Sequence, residues 1–62
     1  MQRQTFHLDG RYFVVDIEER ELNVWSAATI YKRQRLEARS NTEQSALAAL
    51  LAAIQSEIAA ES

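Results

Sequence analysis

His7 is the only histidine of this sequence, so it is the first residue to consider for acid–base chemistry. A nucleophilic enzyme would need such a base beside a serine, a threonine or a cysteine, and the chain has no cysteine. His7 lies in an alternating segment that favours a strand, where Tyr12 is its expected neighbour. Because this pairing does not form a nucleophile–base pair, we expect no enzymatic activity.

Four carboxylates, Asp16, Glu18, Glu19 and Glu21, lie close together in the chain and raise the question of a metal site. A calcium loop alternates Asp or Asn ligands and contains a glycine at its sharp turn, and this segment has neither feature. Gly10 is the single glycine, and a hairpin turn accounts for it, so no glycine-rich loop is left to hold a phosphate. We expect no metal, no cofactor and no small-molecule substrate.

A basic run, Lys32, Arg33, Arg35 and Arg39, contrasts with the rest of the chain, in which acidic residues predominate. Next to aromatic residues such as Tyr31, cations of this kind are typical of surfaces on which single-stranded bases stack. The net charge of −2 argues against general nucleic-acid binding but leaves room for a local basic patch. Binding of RNA or single-stranded DNA through residues 31–39 is therefore the alternative functional hypothesis.

The elements that position these residues must belong to one small domain, because 62 residues are too few for more. The composition, 47% hydrophobic and 26% charged with no proline, is typical of a compact globular chain. The longest apolar run, 46–54, is far shorter than the roughly 20 residues that cross a bilayer. We expect a soluble, cytoplasmic protein without membrane contact.

Asp9-Gly10 predicts the first hairpin, because this dipeptide favours a two-residue turn and lies between two alternating segments. The turn places Leu8 opposite Arg11 and sets strands at about 2–8 and 11–17. Turn chemistry and side-chain alternation agree on this register. The outer face of the hairpin then receives Arg3, Thr5, His7, Tyr12, Val14 and Asp16.

The charged segment 18–21 predicts a four-residue loop, followed by a third strand at about 22–31. Placing Ile17 opposite Leu22 turns Leu22, Val24 and Ile30 toward the core. A bulge near Ser26 would instead turn Trp25 into the core, and this alternative stays open. In the first register the outer face receives Trp25, Ala27, Thr29 and Tyr31.

Residues 32–39 have two interpretations. A turn centred on Arg33 would pair Ile30 with Leu36 and form a short fourth strand at about 35–39, with its charged side chains outward. The rival interpretation is a helix over 26–39, because residues 32–39 have high helix propensity. Ile30 and Leu36 share a strand face better than a helix face, which favours the strand.

The last third of the chain predicts a helix at about 41–60, begun by Ser40 with Glu43 three residues later. Its apolar residues recur at the spacing of one helix face. The predicted fold is α+β, an antiparallel meander of three to four strands with one C-terminal helix packed on one face. The predicted core is Phe6, Leu8, Phe13, Val15, Ile17, Leu22, Val24, Ile30, Leu36, Leu47, Leu50, Leu51, Ile54 and Ile58.

The sheet face opposite the helix is predicted to carry a contiguous aromatic and apolar patch, which usually marks an interface. A domain below about 70 residues without disulfides or metal also has little stability margin, and self-association would raise it. We therefore predict a small non-catalytic binding module that acts through protein–protein contact, as a homodimer or as a small adaptor or inhibitor. The predicted interface residues are Tyr12, Val14, Trp25 and Tyr31.

Overall fold

Four strands and one helix follow one another in the order that the sequence predicts. A computed structural model describes residues 2–61, and its strands form one antiparallel sheet in the order β1-β2-β3-β4. The helix, α1, packs against one face of this sheet, which confirms the α+β architecture. The elements are β1 Gln2–Leu8, β2 Arg11–Glu21, β3 Val24–Tyr31, β4 Gln34–Ser40 and α1 Glu43–Ala60.

The first hairpin has the predicted register, with Leu8 opposite Arg11 and Phe6 opposite Phe13. Both turn residues have positive φ, 54° for Asp9 and 75° for Gly10, as a type I′ turn requires. This turn suits the right-handed twist of the flanking strands, so local chemistry and strand pairing agree. The apolar side of the hairpin faces the core, and its other side faces solvent.

The second hairpin differs from the predicted one. Residues 18–21 do not form a loop, because β2 continues to Glu21 and the turn is Leu22-Asn23. Ile17 lies opposite Ala27 instead of Leu22, and β2 contains an irregularity shortly before the turn. Asn23 has a φ of 62°, a left-handed conformation that asparagine tolerates better than most residues.

This change of register reverses the two faces of β3, because a shift by an odd number of residues exchanges the faces of a strand. Leu22 and Ile30 were predicted to be buried, but they are 86% and 64% exposed, and Val24 is only half-buried. The exchange buries Tyr31 and packs the partly buried Trp25 against the core in their place, which favours the observed register. The residues of β3 on the helix side are Trp25, Ala27, Thr29 and Tyr31.

The third hairpin also differs from the prediction by one residue. Its turn is Lys32-Arg33, so Ile30 lies opposite Arg35 instead of Leu36. This second shift compensates for the first, and Leu36 therefore lies on the helix side as predicted. The charged residues of β4, Arg35, Glu37 and Arg39, face outward, also as predicted.

The Lys32-Arg33 turn lacks the asparagine and glycine that type I′ turns favour, although φ is 50° at Lys32 and 66° at Arg33. A left-handed conformation costs a residue with a Cβ about 1–2 kcal/mol. We expect Arg33→Gly to raise the melting temperature by several degrees relative to Arg33→Ala, which removes the same charge but keeps the Cβ. Equal melting temperatures of the two variants would contradict a strained turn.

The helix begins two residues later than its sequence signature suggests. Thr42, and not Ser40, is the N-cap, and its hydroxyl accepts a hydrogen bond from the Ser45 backbone N–H at 3.1 Å. Ser40 instead ends β4. No helix within residues 2–61 has the length and apolar character needed to cross a membrane.

The core lies between α1 and the sheet. The helix contacts β4, β3 and part of β2, and within residues 2–61 it does not extend over β1. The opposite face of the sheet is left without a covering element among the described residues. The buried core residues are Phe13, Val15, Ile17, Ala27, Tyr31, Ala46, Leu50 and Ile54.

Candidate interaction surface

The sheet face opposite α1, here called the open face, carries a group of exposed apolar side chains. Tyr12 is 74% exposed, Val14 51% and Ile30 64%, and these three residues are called the apolar trio. Asp16 pairs with Ala28, so continuing this register by two residues brings Val14 beside Ile30. The trio therefore spans two central strands, whose backbone is held on both sides by neighbouring strands.

The Tyr12 side chain is packed against its cross-strand neighbour, His7. His7 lies directly opposite Tyr12 in the β1–β2 register, and the two rings stack with centroids 4.7 Å apart at an interplanar angle of 25°. Stacking at this distance adds to the apolar contact between the rings and limits the rotamers of both. The phenol of Tyr12 is therefore presented to solvent in a restricted orientation.

The rest of the open face is charged, and opposite charges alternate along it. Glu37 lies at the centre of three arginines, with its carboxylate 3.5 Å from Arg20, 3.6 Å from Arg35 and 3.9 Å from Arg39. On the β1 side, Arg3 donates to the Asp16 carboxylate at 2.9 Å. All of these groups are exposed or half-exposed, so the ion pairs contribute little to the stability of the fold. Their main effect is to orient the charged side chains of the open face.

A depression lies between the charged side chains, and it is called the polar basin. Its floor is formed by two small residues of β3, Ser26 and Ala28, which are buried although no helix within residues 2–61 covers them. Arg20 contributes to this burial, because its Nε donates to the Ser26 hydroxyl at 3.1 Å. The basin has a volume of about 160 Å³ and is lined by Asp16, Glu18, Arg20, Ser26, Ala28 and Arg35.

The four predicted interface residues do not share one face. Tyr12 and Val14 lie on the open face, as predicted. Trp25 packs against the core and Tyr31 belongs to it, because the register of β3 turns both toward the helix. The Tyr31 hydroxyl also contacts the Glu61 carboxylate and the Arg11 guanidinium, which ties the end of α1 to the sheet.

The four predicted nucleic-acid contacts divide between a turn and the open face. Lys32 and Arg33 form the β3–β4 turn, whereas Arg35 and Arg39 project from β4. Lys32 is paired with Glu61, and Arg35 and Arg39 both approach Glu37. Of the four, only Arg33 has no carboxylate partner within residues 2–61. The aromatic Tyr31 is buried beside this run and offers no exposed ring for base stacking.

Ile30 and the polar basin were both missed by the sequence interpretation. Ile30 was predicted to lie in the core because the β2–β3 turn was placed at residues 18–21 instead of at Leu22-Asn23. Asn23 was the available signal, since asparagine is a common residue at left-handed turn positions. The basin depends on the same turn, which brings Ser26 beside Glu18.

A second, larger depression lies on the helix side of the molecule. It has a volume of about 360 Å³, is mostly apolar, and lies between the β1–β2 turn and the last turns of α1. Within residues 2–61, no group of three or more His, Cys, Asp or Glu side chains is arranged to hold a metal ion. Compared with this depression, the open face carries a wider range of exposed groups, because aromatic, apolar and charged side chains lie next to one another there.

Comparison with known proteins found no matching family model, no similar curated protein and no similar solved structure.

Proposed function

We propose that this chain is a non-catalytic protein-binding module whose binding surface is the open face. The observation that carries the proposal is the apolar trio, three large apolar side chains exposed together on two central strands. A single exposed apolar residue is ordinary, but an adjacent group on a rigid sheet is typical of an interface. Tyrosine is also among the residues that most often dominate binding energy at such surfaces.

The arrangement around the trio supports a protein partner. Protein interfaces commonly combine an apolar centre with a polar rim that can form hydrogen bonds and ion pairs. The open face has this anatomy, with the trio flanked by Arg3 and Asp16 on one side and by Arg35 and Glu37 on the other. The rim carries both signs of charge, so it can select a partner through complementary charges.

The same rim disfavours a nucleic-acid partner. Phosphate binding needs cations that are free to replace counterions, whereas most cations of the open face already approach a carboxylate of the same chain. Asp16, Glu18 and Glu37 would also lie against the phosphates. Retention on a nucleic-acid column that falls steeply with salt would favour this alternative over a protein partner.

Capture from a native lysate tests the proposal. The immobilised chain is expected to retain a protein in the presence of nuclease, and Ile30→Glu is expected to lose it because a charge enters the apolar trio. Leu22→Glu is the matched control, since Leu22 is also exposed and apolar but lies in the β2–β3 turn. Retention of the same protein by Ile30→Glu, with the fold intact by circular dichroism, would refute the open face as the binding surface.

A further inference from the structure

The open face carries both a protrusion and a depression. The protrusion is the Tyr12 ring, which is 74% exposed and held by His7. The depression is the polar basin, with a volume of about 160 Å³. A cavity of about 150 Å³ is large enough to hold a benzene molecule, so the basin matches the ring of a tyrosine in size.

The chemistry of the basin also suits a tyrosine. Its floor contains the Ala28 methyl group, against which an aromatic ring can pack. Its walls hold two carboxylates, Asp16 and Glu18, which can accept a hydrogen bond from a phenol. Arg20 and Arg35 can lie against the edge or the face of the ring, where a guanidinium is attracted to an aromatic system.

The spacing of the two features allows two copies of the chain to exchange them. Tyr12 and Asp16 are four residues apart on β2, about 13 Å along the strand, and Val14 lies halfway between them. Two copies can be placed with their open faces toward each other and related by a two-fold axis. This axis lies between the two sheets, runs perpendicular to the strands and passes beside Val14. It places Tyr12 of each copy over Asp16, which lines the polar basin of the other copy. Val14 and Ile30 of the two copies then meet at the centre.

The charge distribution agrees with this antiparallel arrangement. Glu18 and Glu37 lie on the open face, in the half nearer the β2–β3 turn. At the opposite end, Arg33 lies in the β3–β4 turn and has no carboxylate partner within residues 2–61, whereas Arg11 and Lys32 pair with Glu61. Antiparallel stacking brings Arg33 of each copy over the half of the other open face that carries Glu18 and Glu37, which favours this orientation over a parallel one.

We propose that the partner of the open face is a second copy of this chain, packed face to face with antiparallel strands so that each Tyr12 enters the polar basin of the other copy. The proposal rests on the proposed function and names the partner at that same surface. The contact is isologous, as expected for a two-fold dimer, and every interaction occurs twice. The two helices lie on the outside, as in a sandwich of two facing sheets.

Sedimentation equilibrium of the full chain tests the dimer at micromolar to submillimolar concentrations. The wild type is expected to be dimeric in the upper part of this range. Tyr12→Glu is expected to be monomeric yet folded, because Tyr12 lies outside the monomer core. Leu22→Glu, the matched control, is expected to dimerise like the wild type.

A complementation experiment tests the insertion itself. Tyr12→Ala removes both protrusions from a homodimer, and Ala28→Leu fills both basins, so each variant alone is expected to associate at least about tenfold more weakly than the wild type. A mixture can form a heterodimer with one intact Tyr12–basin contact and no clash. We expect the heterodimer to be about tenfold tighter than either mutant homodimer.

The outcomes separate this inference from the proposed function. A wild type that stays monomeric throughout the range, or a dimer that Tyr12→Glu leaves unchanged, overturns the second-copy inference. In that case the capture experiment with Ile30→Glu still decides whether the open face binds another protein. A mixture no tighter than its components overturns the insertion, and if Ala28→Leu does not fold, the Tyr12→Glu comparison decides alone.

Discussion

Replacing Leu50 with alanine is expected to remove a large share of the free energy of unfolding at 25 °C. Leu50 is fully buried in the core between α1 and the sheet. A buried leucine replaced by alanine costs about 2–5 kcal/mol, because the removed methyl groups leave a cavity that the surroundings only partly fill. A chain of this length has a total stability of roughly 3–9 kcal/mol, so the loss is a large share of it.

Urea unfolding followed by circular dichroism measures this effect, with all variants compared at one protein concentration because dimerisation would add to the apparent stability. Leu22→Ala is the control, since Leu22 is almost fully exposed and its loss should change the unfolding free energy by less than about 0.5 kcal/mol. A Leu50→Ala protein that unfolds at the same urea concentration as the control would contradict the packing of α1 on the sheet.

Trp25→Glu is expected to unfold the protein, whereas Leu22→Glu is expected to leave it folded. The two residues lie three positions apart, and the predicted β2–β3 register placed Leu22 in the core and Trp25 on the outer face. The structure reverses this assignment: Trp25 packs against the core and Leu22 is 86% exposed. A carboxylate in place of Trp25 would lose apolar contacts and bring a charge against the core, at a cost of several kcal/mol.

Thermal melts of the two variants, recorded side by side, measure the difference. We expect Leu22→Glu to melt within a few degrees of the wild type and Trp25→Glu to show no cooperative transition. The reverse pattern, in which Leu22→Glu unfolds and Trp25→Glu stays folded, would restore the register expected from the sequence. It would also return Trp25 to the open face as an interface residue.

Local signals were sufficient for the first hairpin and the helix. The Asp9-Gly10 dipeptide favours a type I′ turn, and the alternation of apolar and polar residues on both sides of it is compatible with a single β1–β2 register. The helix follows from an apolar stripe with a 3.6-residue period, and a wrong N-cap moves its start by only a few residues. Tyr12 and Val14 were placed correctly because their positions depend on this hairpin alone.

Asn23 is a local signal for the β2–β3 turn, but local signals alone do not decide the register of this hairpin. Two registers each produce a continuous apolar face on β3, one with Leu22, Val24 and Ile30, and the other with Trp25, Ala27 and Tyr31. The choice between them depends on tertiary packing, because only the second packs both aromatic rings against the core. The irregularity in β2 near Arg20 is also invisible in a sequence whose residues there are all charged.

The wrong β2–β3 register changed the predicted positions of only some residues of the candidate site. Trp25 and Tyr31 were assigned to the interface through the second register, and both proved to face the helix. Ile30 took their place on the open face for the same reason. The charged residues of β4 kept their predicted orientation because the second and third turns shifted the register in compensating ways.

A dilution series followed by two-dimensional amide NMR tests the central claim, that the open face is the surface through which this chain binds protein and that a second copy is the partner. On dilution from submillimolar to low micromolar concentration, we expect the amide signals of Tyr12, Val14, Ala28 and Ile30 to shift together. The signals of Ala48, Ala52 and Gln55, on the exposed side of α1, should stay fixed. Shifts confined to α1 or to β1, with the open-face signals unchanged, would contradict the claim.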